Sequence, residues 1–201
     1  MDKQQLLESL KSEGFPNEIV TAFAKVKRED FIPEQYQYLA YEDMALPLEN
    51  GATISQPYTI AFMLNLLELQ PNKNQKILEI GSGSGYVLAL ISAIIKKGKI
   101  YGIEIIPSLA NKSKKLLKKD KKIKILNKDG SNGLPDKAPF DRILISASAN
   151  EIPTNLYPQL KNNGILVAPV RDSIFQIRKK NKKIEIKEFP GLVFVPLVRN
   201  N

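Results

Sequence analysis

A chain of 201 residues with 43% hydrophobic side chains can build one sizeable core, and 25% charged residues sits at the globular average, which excludes wholesale disorder. Cysteine and histidine are both absent, so disulfides, thiolate or histidine metal sites and histidine-dependent triads are excluded, and no metal is expected. The formal charge of +9 raises the question of an acidic partner.

No apolar run approaches the roughly 20 residues that cross a membrane, and the start MDKQQLLESLKSEG lacks the apolar stretch of a secretion signal. A cytoplasmic location without membrane contact is the expectation. Any chemistry falls to carboxylates, hydroxyls, amides or a bound cofactor.

The chain opens with two amphipathic segments, Asp2–Ser12 and Pro16–Val26, read as short helices, the second with Pro in its first turn. Proline-punctuated, irregular chain follows from Phe31 to Thr53. Ser55-Gln56-Pro57 then reads as a helix start, with Ile60, Met63, Leu64 and Leu67 recurring on one face. From Lys76 the pattern alternates. Lys76–Ile80 reads as a strand, Tyr86–Lys96 as a helix, and Lys99–Glu104 as a strand. Pro107 opens a lysine-faced helix, and Ile123–Leu126 is the next strand. Phe140–Ser146 is an uninterrupted apolar strand, as expected where both faces are buried. A short helix around Pro153–Leu160, distorted by Pro158, precedes a strand at Gly164–Val170. Ser173–Arg178 and Lys183–Phe189 flank a basic turn, and Leu192–Leu197 is expected to close the sheet.

This order predicts an α/β fold with a doubly wound, mostly parallel sheet and antiparallel strands at its C-terminal edge. No hinge divides it, so one domain is expected. Residues 1–70 form a helical covering segment, 71–170 the α/β core, and 171–201 the last strands.

Positive charge is concentrated. Asn111 to Lys128 holds nine lysines against one acid, Asp120, and Arg178 to Lys183 holds five basic residues. A nucleic-acid footprint is one reading. The other, preferred because no aromatics interleave to stack on bases, is a solvated helix face and a hairpin turn.

Ile77-Leu78-Glu79-Ile80-Gly81-Ser82-Gly83-Ser84-Gly85 is the most informative stretch. It reads as strand, glycine turn and helix start. A dinucleotide fingerprint needs glycine at position 86, where Tyr86 stands; the spacing is G-x-G-x-G, preceded by the acid Glu79. An acid there repels a pyrophosphate but attracts the sulfonium and ammonium of S-adenosylmethionine. Glu104 ends the second strand, 25 residues after Glu79, where a carboxylate can take ribose hydroxyls. Asp129-Gly130 follows the third strand, placed to read adenine.

Three further motifs carry a resemblance. Leu39-Ala40-Tyr41-Glu42-Asp43, Leu46-Pro47-Leu48 and Thr53-Ile54-Ser55-Gln56-Pro57-Tyr58, preceded by Val26-Lys27-Arg28-Glu29-Asp30-Phe31-Ile32-Pro33-Glu34, resemble the protein-L-isoaspartate O-methyltransferases. Asp129-Gly130, Ala138–Asp141, Glu151–Pro153 and Phe194–Leu197 fit the same family. The resemblance implies a seven-stranded, Rossmann-like methyltransferase fold that takes S-adenosyl-L-methionine and releases S-adenosyl-L-homocysteine. Its implied substrates are isoaspartyl-containing proteins and peptides, methylated at the free α-carboxyl by a monomer that does not need nucleic acid.

The resemblance also implies residue roles. Ser55 is the catalytic hydroxyl and touches substrate. Thr53, Ile54 and Ser55 line the pocket, while Gly81, Gly83 and Ser84 hold the methionine part beside Glu79. Glu104 takes the ribose, Asp129 and Gly130 the adenine, and the chain around Val195 grips the substrate carboxylate. An ordinary alternative for Ser55 is a helix N-cap before Pro57, worth about 1 kcal/mol.

Departures exist. Ser146–Asn150 stands where relatives carry Thr-Ala-Ala-Ala-Pro, Lys128 replaces a glycine, and so does Arg171. Two rivals follow: a class I methyltransferase acting on nucleic acid, and a relative that binds cofactor or isoaspartyl peptide without catalysis. Against the first, the chain after the fourth strand lacks the polar-Pro-Pro-aromatic motif of base methylases.

Overall fold

Residues 1–181 and 183–191 are described by the computed structural model, so the expected closing strand Leu192–Leu197 lies outside the described residues. The chain begins with α1 (Lys3–Ser12), started by a capping box in which Asp2 accepts the Gln5 amide and Gln5 accepts the Asp2 amide. α2 (Asn17–Lys25) buries Ile19, Ala22 and Phe23. The expected irregular stretch is more ordered than its prolines suggest. It holds 3-10 turns at Arg28–Phe31 and Glu34–Leu39, then a small hairpin of β1 (Leu46–Pro47) and β2 (Thr53–Ile54). α3 (Pro57–Leu67) follows, with Pro57 in its first turn.

The core alternates as expected: β3 (Asn74–Ile80), α4 (Tyr86–Ile94), β4 (Lys97–Glu104), α5 (Pro107–Leu116), β5 (Ile123–Asn127), β6 (Phe140–Ile145), β7 (Leu160–Val170), β8 (Ser173–Lys180) and β9 (Lys183–Pro190). The expected short helix near Pro153 is a 3-10 turn, Thr154–Gln159, because Pro158 supplies no N–H to an α-helical ladder. The seven strands lie in the order β5-β4-β3-β6-β7-β8-β9. The first five are parallel, and β8 and β9 pair antiparallel, as the missing intervening helices require.

Alternation along each strand sends side chains to two cores. Ile77, Ile100, Leu144, Ile165 and Val167 face a cluster built with α1 to α4. Leu78, Ile80, Tyr101, Ile103, Ile143, Ile145 and Leu166 face the other side. There the described residues that complete the layer, Leu134 and Leu156, come from turns and not from α-helices. The winding reverses at β3, as expected for a doubly wound sheet, but one layer is much thicker. On the thick side α2 lies between α1 and α4, and Phe23 and Phe31 meet Tyr86 at ring separations of 6.1 and 5.3 Å.

Helix α3 is held at its C-terminal end by strand side chains. Arg142 in β6, 6% exposed, donates to the Leu67 carbonyl at 2.5 Å and the Glu68 carbonyl at 2.9 Å. Gln176 in β8 donates to the Leu66 carbonyl at 2.6 Å. These donors satisfy carbonyls that a helix end leaves open, and a cation there suits the helix dipole. Arg142→Met should lower unfolding free energy by about 2 to 3 kcal/mol, read by urea denaturation, because it strands buried carbonyls.

Candidate functional site

The end of β3 lies between β4 and β6, where the winding of the sheet changes direction and a crevice opens. The chain turns sharply there. The amides of Gly81 and Ser82 both donate to the Ile103 carbonyl, at 2.8 and 3.0 Å, which lays the turn across the end of β4. Gly81 has φ +77° and Gly85, which caps α4, has φ +87°, a region that side-chain-bearing residues rarely adopt. Gly85 is also closed to a side chain by Leu117, whose Cδ1 lies 2.9 Å from where a Cβ would stand.

Glu104 is clamped from both sides. One oxygen accepts the Gly83 amide at 2.7 Å and the other the Ile106 amide at 2.9 Å. Each oxygen keeps acceptor capacity toward the crevice. Gly130 packs so closely on Ile80 that a Cβ would stand 2.6 Å from its Cγ2, so only glycine fits this wall. The Asp129 carboxylate accepts the Ser131 amide at 2.7 Å and shapes the turn. Gly130 lines the same cavity as Glu104, whereas Asp129 does not.

Glu79 is 1% exposed. Its Oε1 accepts the Ser146 hydroxyl at 2.7 Å, and its Oε2 has no hydrogen-bond partner. Burial pushes its carboxyl up to about 8; the Ser146 hydrogen bond opposes that shift and the charge of Glu104 adds to it. A buried carboxylate oxygen without a donor is costly, and a cation entering the crevice would relieve it.

Two connected cavities meet at this turn. The deeper one is lined by Thr53, Ile54, Ser55, Glu79, Gly81, Gly83 and Ser84, with Ile60, Met63 and Leu144 behind them. The outer one, about 370 Å³, runs past Asn50 to Thr53, Glu104, Ile105, Ile106, Gly130 and Ala147. They share Thr53, Gly81, Gly83 and Ser146. The β1–β2 hairpin therefore lies along the crevice, and Lys112 of α5 pairs with Glu49 at its tip. Ser55 does not cap α3. The N-cap is Gln56, without a side-chain cap bond, so the ordinary alternative for Ser55 is not realised. The Ser55 carbonyl accepts from Arg28 at 3.0 Å.

Comparison with known proteins decides the family. The sequence profile of the protein-L-isoaspartate(D-aspartate) O-methyltransferase (PCMT) family matches residues 1–201. The chain belongs to this family.

The methyltransferase is 38% identical to the protein-L-isoaspartate O-methyltransferase of Ignicoccus hospitalis over 206 residues, covering 98% of this chain and 97% of that one. A solved protein-L-isoaspartate O-methyltransferase superimposes with a TM-score of 0.89 at 26% identity, over 99% of this chain and 67% of its own. A Plasmodium falciparum protein assigned to the same activity, in complex with S-adenosyl-L-homocysteine, superimposes with a TM-score of 0.86 at 27% identity and covers 100% of both chains.

Of the residues expected in the site, Thr53, Ile54, Ser55, Glu79, Gly81, Gly83, Ser84, Glu104 and Gly130 line the two cavities. Asp129 is not among the residues lining either cavity, and Val195 lies outside the described residues. Sequence reasoning missed Ser146, which it noted only as a departure from the family. A hydroxyl at the end of the strand next to Glu79 was the available signal. It also missed Arg28, because a motif position does not announce that its side chain is buried.

The residues present fit a cationic cofactor, since Glu79, with an unpartnered oxygen, and the clamped Glu104 are both buried from solvent and line the cavities. The methyltransferase of this chain uses S-adenosylmethionine. Its binding should be proton-linked. In the free protein Glu79 is mostly neutral below about 8, and pairing with a cation requires loss of that proton. Titration calorimetry with S-adenosyl-L-homocysteine should therefore show affinity rising from pH 5.5 to 7.5, by up to about tenfold per pH unit, with proton release. Glu79→Gln should flatten the profile. The unliganded fold responds with the opposite sign: the shift from 4.5 to about 8 makes stability fall as pH rises through that window, and Glu79→Gln removes this loss.

Proposed function

We infer that this chain transfers a methyl group from S-adenosylmethionine to the free α-carboxyl of L-isoaspartyl residues in damaged proteins and peptides, with Ser55 as the catalytic hydroxyl. The methyltransferase activity follows from the family. The observation that carries the site assignment is the buried Glu79, which has one unpartnered carboxylate oxygen and lines one cavity with the glycine turn and Ser55.

The bound cofactor supplies a methyl carbon on a positively charged sulfur, a good leaving group. The substrate carboxylate is already ionised at neutral pH, so no general base is required, which suits a chain without histidine. Held along Glu79, Gly81, Gly83 and Ser84, the cofactor would supply this methyl carbon to one carboxylate oxygen of the substrate, leaving the carbon–sulfur electron pair on sulfur. The resulting ester closes to a succinimide when the following backbone nitrogen displaces methanol. Hydrolysis of the succinimide then returns some normal aspartate.

The protein's contribution is alignment and exclusion of water. Glu79, oriented by Ser146, holds the positive end of the methionine part along Gly81, Gly83 and Ser84. Glu104 holds the ribose, and Gly130, shaped by Asp129, borders the adenine. Thr53 and Ile54 cover the reacting end. Ser55 orients the substrate carboxylate, with the chain around Val195 as the expected second contact. The chain acts as one methyltransferase domain in which residues 1–70 cover the crevice.

The wider surface supports polypeptide rather than nucleic-acid substrates. Two of the lysines in the dense basic stretch have local partners: Lys112 pairs with Glu49, and Lys122 donates to the carbonyls of Ser92 and Ile95 at the end of α4, at 2.5 and 2.9 Å. Of the remainder, Lys114 and Lys115 lie on α5 and Lys118, Lys119, Lys121, Lys124 and Lys128 follow it, all exposed to solvent.

Methanol release from an isoaspartyl peptide, against the same peptide with normal aspartate, tests the reaction directly; activity on both isomers or on neither would sink it. Ser55→Ala should lower kcat about 10- to 100-fold while S-adenosyl-L-homocysteine affinity changes less than about threefold. Loss of cofactor binding in that variant would show that Ser55 belongs to the cofactor cradle instead.

A further inference from the structure

Arg28 is 0% exposed, and the two terminal nitrogens of its guanidinium donate to carbonyls of a single stretch of chain, while Nε has no hydrogen-bond partner. One terminal nitrogen donates to Ala40 at 2.7 Å and Glu42 at 3.4 Å; the other donates to Met44 and Ser55, both at 3.0 Å. Ala40, Glu42 and Met44 lie where the chain leaves toward the β1–β2 hairpin, and Ser55 lies where it returns. A single side chain therefore closes the base of the loop that carries Leu48, Thr53, Ile54 and Ser55 into the crevice. Arg28 is itself fixed to the glycine turn, because its own 3-10 turn ends in Phe31, packed on Tyr86 at the start of α4.

We propose that Arg28 is a positioning residue for methyl transfer: it holds the 40–55 loop closed over the cofactor crevice and sets the Ser55 backbone in its working place. This rests on the reading of Ser55 given above. The planar fork matters as much as the charge. Two nitrogens, each with a pair of donors in one plane, reach carbonyls on both limbs of the loop at once. A lysine places three donors on one atom and cannot span them. Burial also lowers the guanidinium pKa from its usual value, though the group remains charged. Ordinary core arginines tie elements together as Arg142 does. Arg28 differs in that every acceptor belongs to the segment lining the crevice.

Arg28→Lys and Arg28→Met separate this role from that of a plain core strut. Amide exchange should accelerate across residues 40–56 in both variants while β3, β4 and β6 keep their protection. With an isoaspartyl peptide kcat should fall about 10- to 100-fold, and S-adenosyl-L-homocysteine should dissociate faster. Lysine should not rescue either. Ser55→Ala, run alongside, should lower kcat without changing exchange in 40–56. If Ser55→Ala keeps full activity, the Ser55 reading fails, while the exchange result still judges the loop. Unfolding of both Arg28 variants, exchange that rises equally in β3 to β6, or a near-normal kcat in Arg28→Lys would each overturn the proposal.

Discussion

A buried carboxylate with one oxygen left unpartnered is the constraint around which this molecule is organised. Glu79 sits at the end of the central strand β3, nearly sealed from solvent, with one oxygen bound to Ser146 and the other open. Such a group is unfavourable in an empty fold, which is why its proton is held so tightly. It becomes favourable only when a positive charge arrives. The glycine turn lets the backbone approach that visitor, and the two amides gripping Glu104 keep a second carboxylate pointed the same way. Two carboxylates at one crevice favour a positively charged visitor over a pyrophosphate.

Holding these groups in place takes most of the remaining structure. The parallel strands β4, β3 and β6 end at one edge, so Glu104, Glu79 and Ser146 come from three strands yet face one crevice. The N-terminal segment supplies the roof. Its aromatic side chains meet Tyr86, its hairpin lies beside the glycine turn, and the Arg28 guanidinium joins the two limbs of the covering loop. The cavities are thus walled by the covering segment on one side and the sheet edge on the other. The reaction needs both, because a carboxylate nucleophile surrounded by water is poorly oriented and well solvated. The charge of the protein is remote from this division: the basic stretch on and after α5 lies mostly at the surface, with Lys122 recruited to close the end of α4.

The sheet was readable because its strands are apolar runs, β3 and β4 ending at a glycine and an acid, and because the spacing of β3, β4 and β5 leaves room for a helix between neighbours. The turn from Glu79 to Gly85 was readable for the same reason: chemistry and backbone geometry coincide in consecutive residues. The stretch from Phe31 to Thr53 was less legible. It has no period of 2 or 3.6, and its order comes from contacts made far along the chain, such as Arg28 with Ser55. Ser55 itself carried two meanings in the sequence, helix cap or pocket hydroxyl. Only the position of Gln56 at the helix start separates them.

The amino-acid sequence by itself determined the class of fold, the order of most elements, the family's cofactor and most of the residues expected in the site that line the two cavities. These are local matters, set by side-chain period, glycine and the sign of charge. The tertiary structure alone decided that Ser146 bonds Glu79, that Gly130 rather than Asp129 lines the cavity, that among the described residues turns complete the second face of the sheet, and that a buried arginine joins the two limbs of the loop beside the crevice. Each of these depends on which distant segments come into contact, and burial and hydrogen-bond partners are properties of that contact rather than of any residue in the chain.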